Sequence, residues 1–140
     1  MNARYFIDTN IFVYTFDESA PGKRSRASQL IEDALGSGRG VISYQVVQEF
    51  LNVASRKFDV PLTPQDQRTY LDTVLGPLCE VFPTIGLYRR GIELASRYGY
   101  SFYDALIIAS AIEGDCSVLY TEDLQADQTI GRLKIANPFA

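Results

Sequence analysis

Histidine and tryptophan are both absent from this 140-residue sequence. Without histidine, the chain has no serine–histidine or cysteine–histidine catalytic pair, no histidine general base and no histidine metal ligand. The only two cysteines, Cys79 and Cys116, are far apart in apolar surroundings and lack a zinc-binding spacing. We expect two buried thiols, with a disulfide as the weaker alternative. Chemistry must therefore come from carboxylates, tyrosines, lysines or a bound metal ion.

The sequence also lacks a membrane-length apolar stretch and a charged N-terminal region followed by a long apolar run. We therefore expect a soluble cytoplasmic protein. The formal net charge is −4, from 13 Lys and Arg against 17 Asp and Glu, which argues against a broad basic surface for nucleic acid. A nuclease is not excluded, because a cluster of carboxylates that binds cations would itself make the net charge of the chain more negative. The length and a hydrophobic content of 46% predict one domain over residues 1–140.

Short apolar segments alternate with helical patterns along the chain. Strands are predicted at residues 4–7, 41–42, 80–82, 118–120 and 133–135. Helices are predicted at residues 23–35, 44–57 and 87–98, and a further helix is predicted to begin at residue 11. A capping box at Thr63 opens a helix that is predicted to end at Gly76-Pro77, and the last helix is predicted from Ser101 to Gly114. Strands separated by helices imply an α/β fold with a short central parallel sheet covered by helices on both faces.

The stretch from Ser101 to Asp123 organises the rest of the chain. Ser101 is a suitable N-cap, Gly114 suits a left-handed C′ position, and the helix between them is apolar on all sides. A helix of this kind is expected to be buried. Asp104 would then be a buried acid, which requires a partner because an unpaired carboxylate in apolar surroundings is costly.

Four acids are predicted to meet at one edge of the sheet. Asp8 directly follows the first strand and Asp123 follows the fourth, so both lie at the C-terminal ends of parallel strands. Glu49 is in the second turn of the helix that leaves the second strand. Asp104 is in the first turn of a helix that starts at the same edge. The topology therefore brings these four carboxylates together.

A cluster of four carboxylates is electrostatically unfavourable unless some have raised pKa values or divalent cations lie between them. Oxygen ligands without histidine or thiolate favour Mg²⁺ or Mn²⁺. Sites of this kind hold one or two ions and serve phosphoryl chemistry. Thr9, Asn10 and Thr121 would orient the carboxylates or ligated water.

Each acid also has a plainer interpretation. Asp8 would cap the following helix, and Asp104, three residues after Ser101, would complete a capping box. Glu49 would be a solvated boundary residue and Asp123 an ordinary loop residue. The convergence of all four acids favours a functional site.

Five short motifs in this order resemble the PIN-domain ribonucleases, and specifically the VapC-type toxins of toxin–antitoxin pairs. They are Phe-Ile-Asp-Thr-Asn at residues 6–10, Val-Gln-Glu-Phe at 47–50, Ser-Phe-Tyr-Asp-Ala-Leu-Ile at 101–107, Leu-Tyr-Thr-Glu-Asp-Leu-Gln at 119–125 and Ile-Ala-Asn-Pro-Phe at 135–139.

This resemblance implies a three-layer α/β/α PIN domain and a Mg²⁺- or Mn²⁺-dependent endoribonuclease. It also implies a cytoplasmic homodimer and a VapB-like antitoxin whose C-terminal segment occupies the active-site groove. The catalytic and metal-binding acids of the family match Asp8, Glu49, Asp104 and Asp123. Thr121 matches the usual Ser or Thr two residues before the last acid.

Two other functions remain open. One is a phosphatase with Asp8 as covalent nucleophile, which is disfavoured because Asn10 stands where such enzymes usually carry a second Asp. The other is a PIN-like module that only binds RNA or protein. Basic side chains are candidates for phosphate contacts, although solvated surface is their default interpretation: Lys23, Arg24, Arg26, Arg56, Lys57, Arg89 and Arg90.

Overall fold

The structure is a computed structural model that describes residues 3–140. Its strands are β1 (Arg4–Ile7), β2 (Gly40–Ser43), β3 (Cys79–Val81), β4 (Cys116–Tyr120), β5 (Thr129–Ile130) and β6 (Leu133–Ala136). Its α-helices are α1 (Thr9–Tyr14), α2 (Pro21–Ser37), α3 (Tyr44–Arg56), α4 (Pro64–Tyr70), α5 (Gly76–Leu78), α6 (Ile85–Tyr98) and α7 (Phe102–Glu113).

The strands form one sheet in the order β3-β2-β1-β4-β6-β5. Each neighbouring pair is parallel except β5 and β6, which pair antiparallel at one edge. The predicted α/β fold with flanking helices is confirmed, and each predicted strand is present within a residue or two. The two-residue strand β5 was not predicted, because a segment this short has no periodicity to detect.

The sheet centre supplies much of the core. In β1, Phe6 and Ile7 are fully buried, and Phe12 of α1 packs edge-on against Phe50 of α3 with ring centroids 6.4 Å apart. Helix α7 is buried from Ala105 to Ala111, as its apolar sequence predicts. The prediction that Asp104 is buried is wrong, because the first turn of α7 reaches the surface and leaves this residue exposed.

Side-chain caps fix the starts of the helices that approach the site. Asp8 caps α1 and Ser101 caps α7, as predicted, and Ser43 caps α3. The left-handed position predicted for Gly114 is wrong: its φ is −76°, and Asp115 takes the positive φ of 58° instead. Space is tight at Gly114, because a Cβ atom there would lie 3.0 Å from Cγ1 of Val41 and 3.3 Å from Cγ2 of Val81, and these side chains would have to shift by a few tenths of an ångström.

The helix that begins after Thr63 does not end at Gly76-Pro77 as predicted. After α4 the chain passes through a π-helical turn (Leu71–Leu75) and continues as α5 to Leu78. The amide of Gly76 donates to the carbonyl of Leu71, five residues earlier. Pro77 is tolerated because it lies in the first turn of the new helical segment, where its missing N–H is not required.

Both cysteines are free thiols, with Cys116 buried and Cys79 partly buried, so the disulfide alternative is wrong. Within residues 3–140, no helix combines the length and apolar character needed to cross a membrane.

Candidate active site

The four predicted acids line one cleft of about 270 Å³. It lies where β1 and β4 end and where α3 and α7 begin, as the topology predicted. The residues that form its walls are Asp8, Thr9, Asn10, Gln45, Glu49, Asn52, Val53, Asp104, Ile107 and Asp123.

Asp8 is the buried acid of the cleft, with 7% of its surface exposed. Its Oδ1 accepts the amide N–H of Thr9 at 2.7 Å, and its Oδ2 accepts the hydroxyl of Thr121 at 2.8 Å. Burial raises the pKa of Asp8 to about 6, the two hydrogen bonds oppose this rise, and the charges of Glu49 and Asp123 add to it. Asp8 is therefore both a helix cap and part of a mutually repelling group of acids.

Glu49 is tied to the start of α1 and to its own helix. Its Oε1 accepts the hydroxyl of Thr9 at 2.6 Å, and its Oε2 accepts Nε2 of Gln45 at 3.3 Å. The Thr9 backbone and side chain thus contact two different acids. This arrangement explains why a threonine follows Asp8: its hydroxyl positions the carboxylate of the neighbouring helix.

Asp123 is exposed at the mouth of the cleft. Its carboxylate accepts a hydrogen bond from Nδ2 of Asn10, and its backbone amide donates to Oγ1 of Thr121 at 3.1 Å. Partial burial raises the pKa of Asp123, and the charges of Glu122, Asp104 and Glu49 raise it further. Thr121 and Asn10 therefore hold Asp123 against this repulsion.

Asp104 takes part in the cap of α7 through its amide, which donates to Oγ of Ser101 at 3.3 Å. Its carboxylate accepts no hydrogen bond from residues 3–140, so the reciprocal half of a capping box is missing. The side chain is left to line the cleft.

The sequence analysis missed Gln45 and Asn52. Gln45 precedes Glu49 by one helical turn, and Asn52 follows it by three residues, so helical spacing places both on the same face of α3 as the acid. This spacing could have identified both residues from the sequence. Nε2 of Gln45 also donates to the carbonyl of Tyr103 at 3.2 Å, which joins α3 to the start of α7.

The donor set of the cleft matches a hard divalent cation. Its walls offer carboxylate and amide oxygens, with neither histidine nor thiolate, which is the chemistry of Mg²⁺ and Mn²⁺ sites. No three acidic, histidine or cysteine side chains within residues 3–140 converge closely enough to enclose an ion. Asp104 and Asp123, which line the cleft together with Asp8 and Glu49, are both exposed.

A family model described as "PIN domain" matches residues 5–130. The chain therefore belongs to the PIN domain family. Members of this family that are nucleases generally use divalent metals. No curated protein sequence matches this chain significantly.

Solved structures share the fold at low sequence identity. One is a toxin–antitoxin complex from Klebsiella pneumoniae, with 22% identity, a TM-score of 0.68, and coverage of 96% of this chain and 97% of that one. The DNA-bound VapBC of Salmonella typhimurium shows 18% identity, a TM-score of 0.66, and coverage of 98% and 99%. VapC20 of Mycobacterium tuberculosis, a toxin that cleaves the sarcin–ricin loop, shows 18% identity, a TM-score of 0.60, and coverage of 85% and 89%.

Proposed function

We propose that this chain is a divalent-metal-dependent endoribonuclease that acts as the toxin of a toxin–antitoxin pair. The observation that carries the proposal is the cleft in which Asp8, Glu49, Asp104 and Asp123 lie together. Membership of the PIN domain family and the similar fold of the toxin chains support it.

The four acids are the proposed catalytic and metal-binding residues, and Thr9, Asn10 and Thr121 are proposed to hold them in position. A divalent cation, when bound, supplies positive charge that offsets the phosphate and lowers the pKa of a nearby water. Water attacks the phosphorus atom in line with the bond from phosphorus to the 3′ oxygen, forms a new phosphorus–oxygen bond and releases a proton. That bond breaks, the 3′ oxygen gains a proton, and the products are a 3′-hydroxyl and a 5′-phosphate.

The proposed partners are an RNA substrate, a VapB-like antitoxin and a second copy of the chain in a homodimer. The similarity to the Klebsiella and Salmonella toxin–antitoxin complexes supports the antitoxin partner, and the similarity to the sarcin–ricin-loop-cleaving VapC20 supports the RNA substrate. The homodimer is proposed from the resemblance of the sequence to VapC-type toxins. The proposed location is the cytoplasm, where RNA and the antitoxin would meet the toxin.

The phosphatase alternative gains no support from the geometry of Asp8. Both of its carboxylate oxygens accept hydrogen bonds, from Thr9 and Thr121, and little of the side chain is exposed. Asn10, which replaces the second Asp of such enzymes, donates to Asp123 instead.

The test is cleavage of a structured RNA pool by purified protein freed of any co-purifying partner. The reactions contain Mn²⁺, Mg²⁺ or EDTA, and Asp8→Asn and Asp104→Asn serve as charge-neutral variants that control for contaminating nuclease. We expect metal-dependent cuts that both variants lose while their circular dichroism spectra stay unchanged. Full cleavage by both variants would overturn the assignment of the site. Tight RNA binding with no cleavage and no toxicity on expression would support the binding-module alternative.

A further inference from the structure

A fifth carboxylate lies beside the acidic cleft without lining it. Glu122 directly precedes Asp123 in the bend that follows β4, and only 19% of its side chain is exposed. A carboxylate that is mostly covered is unfavourable unless it has partners. Among residues 3–140, Glu122 has two: its Oε1 accepts the hydroxyl of Tyr14, and its Oε2 accepts Nζ of Lys23 at 2.9 Å.

Helix α1 contacts Glu122 and Asp123 from one side. Nδ2 of Asn10 donates to the carboxylate of Asp123, and the hydroxyl of Tyr14 donates to the carboxylate of Glu122. Asn10 and Tyr14 are four residues apart, and this spacing places them on the same face of a helix. The two consecutive acids are therefore held by the helix that Asp8 caps.

Lys23, in the first turn of α2, is the second partner of Glu122. Its Nζ lies 4.9 Å from the centre of the Tyr14 ring and 5.5 Å from the centre of the Phe139 ring, which is a favourable place for an ammonium ion. The same atom lies 3.3 Å from the hydroxyl oxygen of Tyr14. The ammonium group of Lys23, a sequence-based candidate for a phosphate contact, is thus engaged within the protein.

The C-terminal segment completes this cluster. The rings of Phe139 and Tyr14 meet edge-on with centroids 5.1 Å apart, and Nε of Arg26 donates to the carbonyl of Pro138 at 3.3 Å. The last of the five sequence motifs, at residues 135–139, therefore contacts α1 and α2. It does so next to the site, although none of its residues lines the cleft.

We propose that Tyr14 and Lys23 are positioning residues that act through Glu122. By holding its carboxylate, they keep the neighbouring Asp123 in the cleft. The inference rests on the proposed nuclease function, because it gives residues outside the cleft a task in that site. An isolated exposed ion pair contributes little. Here the carboxylate is mostly covered and has a second donor, so the contact fixes the residue that precedes Asp123.

The experiment compares Lys23→Met, Lys23→Arg and Arg24→Met in the full chain. Methionine keeps an unbranched apolar side chain without the charge, and arginine keeps the charge. Arg24 is the exposed neighbour whose Nε donates to the carbonyl of Thr15 at 3.4 Å. Arg24→Met therefore removes the same charge from the same helical turn without removing a partner of Glu122.

The first readout is hydrogen exchange of two backbone amides, measured by NMR without metal. The amide of Asp123, bonded to Oγ1 of Thr121, reports on the acidic bend, and the amide of Asp8, bonded to the carbonyl of Tyr120 at 3.0 Å, reports on the sheet. We expect Lys23→Met to accelerate exchange several-fold at Asp123 and to leave exchange at Asp8 unchanged, because only the bend is loosened.

The second readout is the affinity for Mn²⁺, measured by calorimetry. Lys23→Met should weaken it by about tenfold, the lower end of the range for residues that orient metal ligands. Lys23→Arg should recover most of this loss, and Arg24→Met should match the native chain. Tyr14→Phe keeps the ring but loses the hydroxyl that donates to Glu122, so it should change both readouts in the same direction as Lys23→Met.

Unchanged exchange at Asp123 in Lys23→Met would overturn the positioning role. Equal acceleration at Asp123 and Asp8 would also overturn it, since the cluster would then only stabilise the fold. A native chain that binds Mn²⁺ no more tightly than Lys23→Met would have the same consequence. Failure of the nuclease proposal is distinguishable: the native chain would cut no RNA with either metal. The exchange at Asp123 would still depend on Lys23, and in a chain that binds no Mn²⁺ the exchange rates alone decide.

Discussion

The hydroxyl of Thr121 donates to Oδ2 of Asp8 at 2.8 Å, across the boundary between β1 and β4. The Oγ1 atom of Thr121 also accepts the amide N–H of Asp123 at 3.1 Å, so the Thr121 side chain joins two of the four acids. Thr121 is almost completely buried, with 1% of its surface exposed, which keeps water from replacing either bond.

Replacing Thr121 by valine should raise the pKa of Asp8 further, because the lost hydrogen bond is one that lowers it. In a pH–rate profile of RNA cleavage, the acidic limb should move to higher pH, and the free energy of unfolding should fall by about 1 kcal/mol. Thr121→Ser retains the hydroxyl and is the matched control. An acidic limb at the same pH in valine and serine variants would contradict the role given to this bond.

Asp8 should make stability depend on pH in the metal-free protein. The pKa rises from 3.8 to about 6 on folding, so the stabilising contribution is complete below pH 3.8 and is lost as pH rises through 6. The difference between these two pKa values corresponds to a free energy of about 3 kcal/mol. At pH 7 in EDTA, the Asp8→Asn variant should therefore have a higher free energy of unfolding than the native chain. At pH 4 this difference should disappear. Urea titrations at both pH values measure this. An advantage that is the same at both would refute the prediction.

A divalent cation should stabilise the folded chain, since it offsets the repulsion among the acids. At a Mn²⁺ concentration about 100 times the dissociation constant, the expected gain is about 2.7 kcal/mol. The gain should be smaller at pH 5 than at pH 7.5, because Asp8 must lose its proton first. Thermal unfolding with and without Mn²⁺ is the measurement. Asp104→Asn is the comparison, and an equal gain in that variant would exclude Asp104 as a ligand.

Gly114→Ala should destabilise the fold by about 1–3 kcal/mol, because the new methyl group would press on Val41 and Val81. Gly36→Ala is the matched control. Gly36 lies within α2 and has no atom within 4 Å of its built Cβ position, so alanine there should stabilise by about 0.5–1 kcal/mol. The measurement is the denaturant midpoint of each variant. A shift of both midpoints in the same direction would contradict the prediction.

The sheet and the meeting of the acids were predictable because strand ends and helix starts share one edge of a parallel sheet. Asp8 and Asp123 follow strands directly, so their positions depend on topology alone. Glu49 and Asp104 follow caps that short-range chemistry specifies, at Ser43 and Ser101.

Tertiary effects decided the features that were not predicted. The exposure of the first turn of α7 depends on which other elements pack over it, and hydrophobic periodicity does not predict this. For that reason Asp104 was wrongly expected to be buried. The tight space at Gly114 comes from Val41 and Val81, which lie in other elements, so it could not be predicted from the residues next to Gly114 in the sequence. The π turn before Gly76 leaves no sequence pattern that distinguishes it from α-helix.

The order of the acids along the chain has a consequence for synthesis. Strand β1 lies between β2 and β4 in the sheet, and the amide of Asp8 donates to the carbonyl of Tyr120 at 3.0 Å. A nascent chain that has emerged only as far as α6 carries Asp8 and Glu49 but neither Asp104 nor Asp123. Under the proposed function, the set of four acids is therefore incomplete on the ribosome until Asp123, three residues after the end of β4, has been translated and β4 has paired with β1.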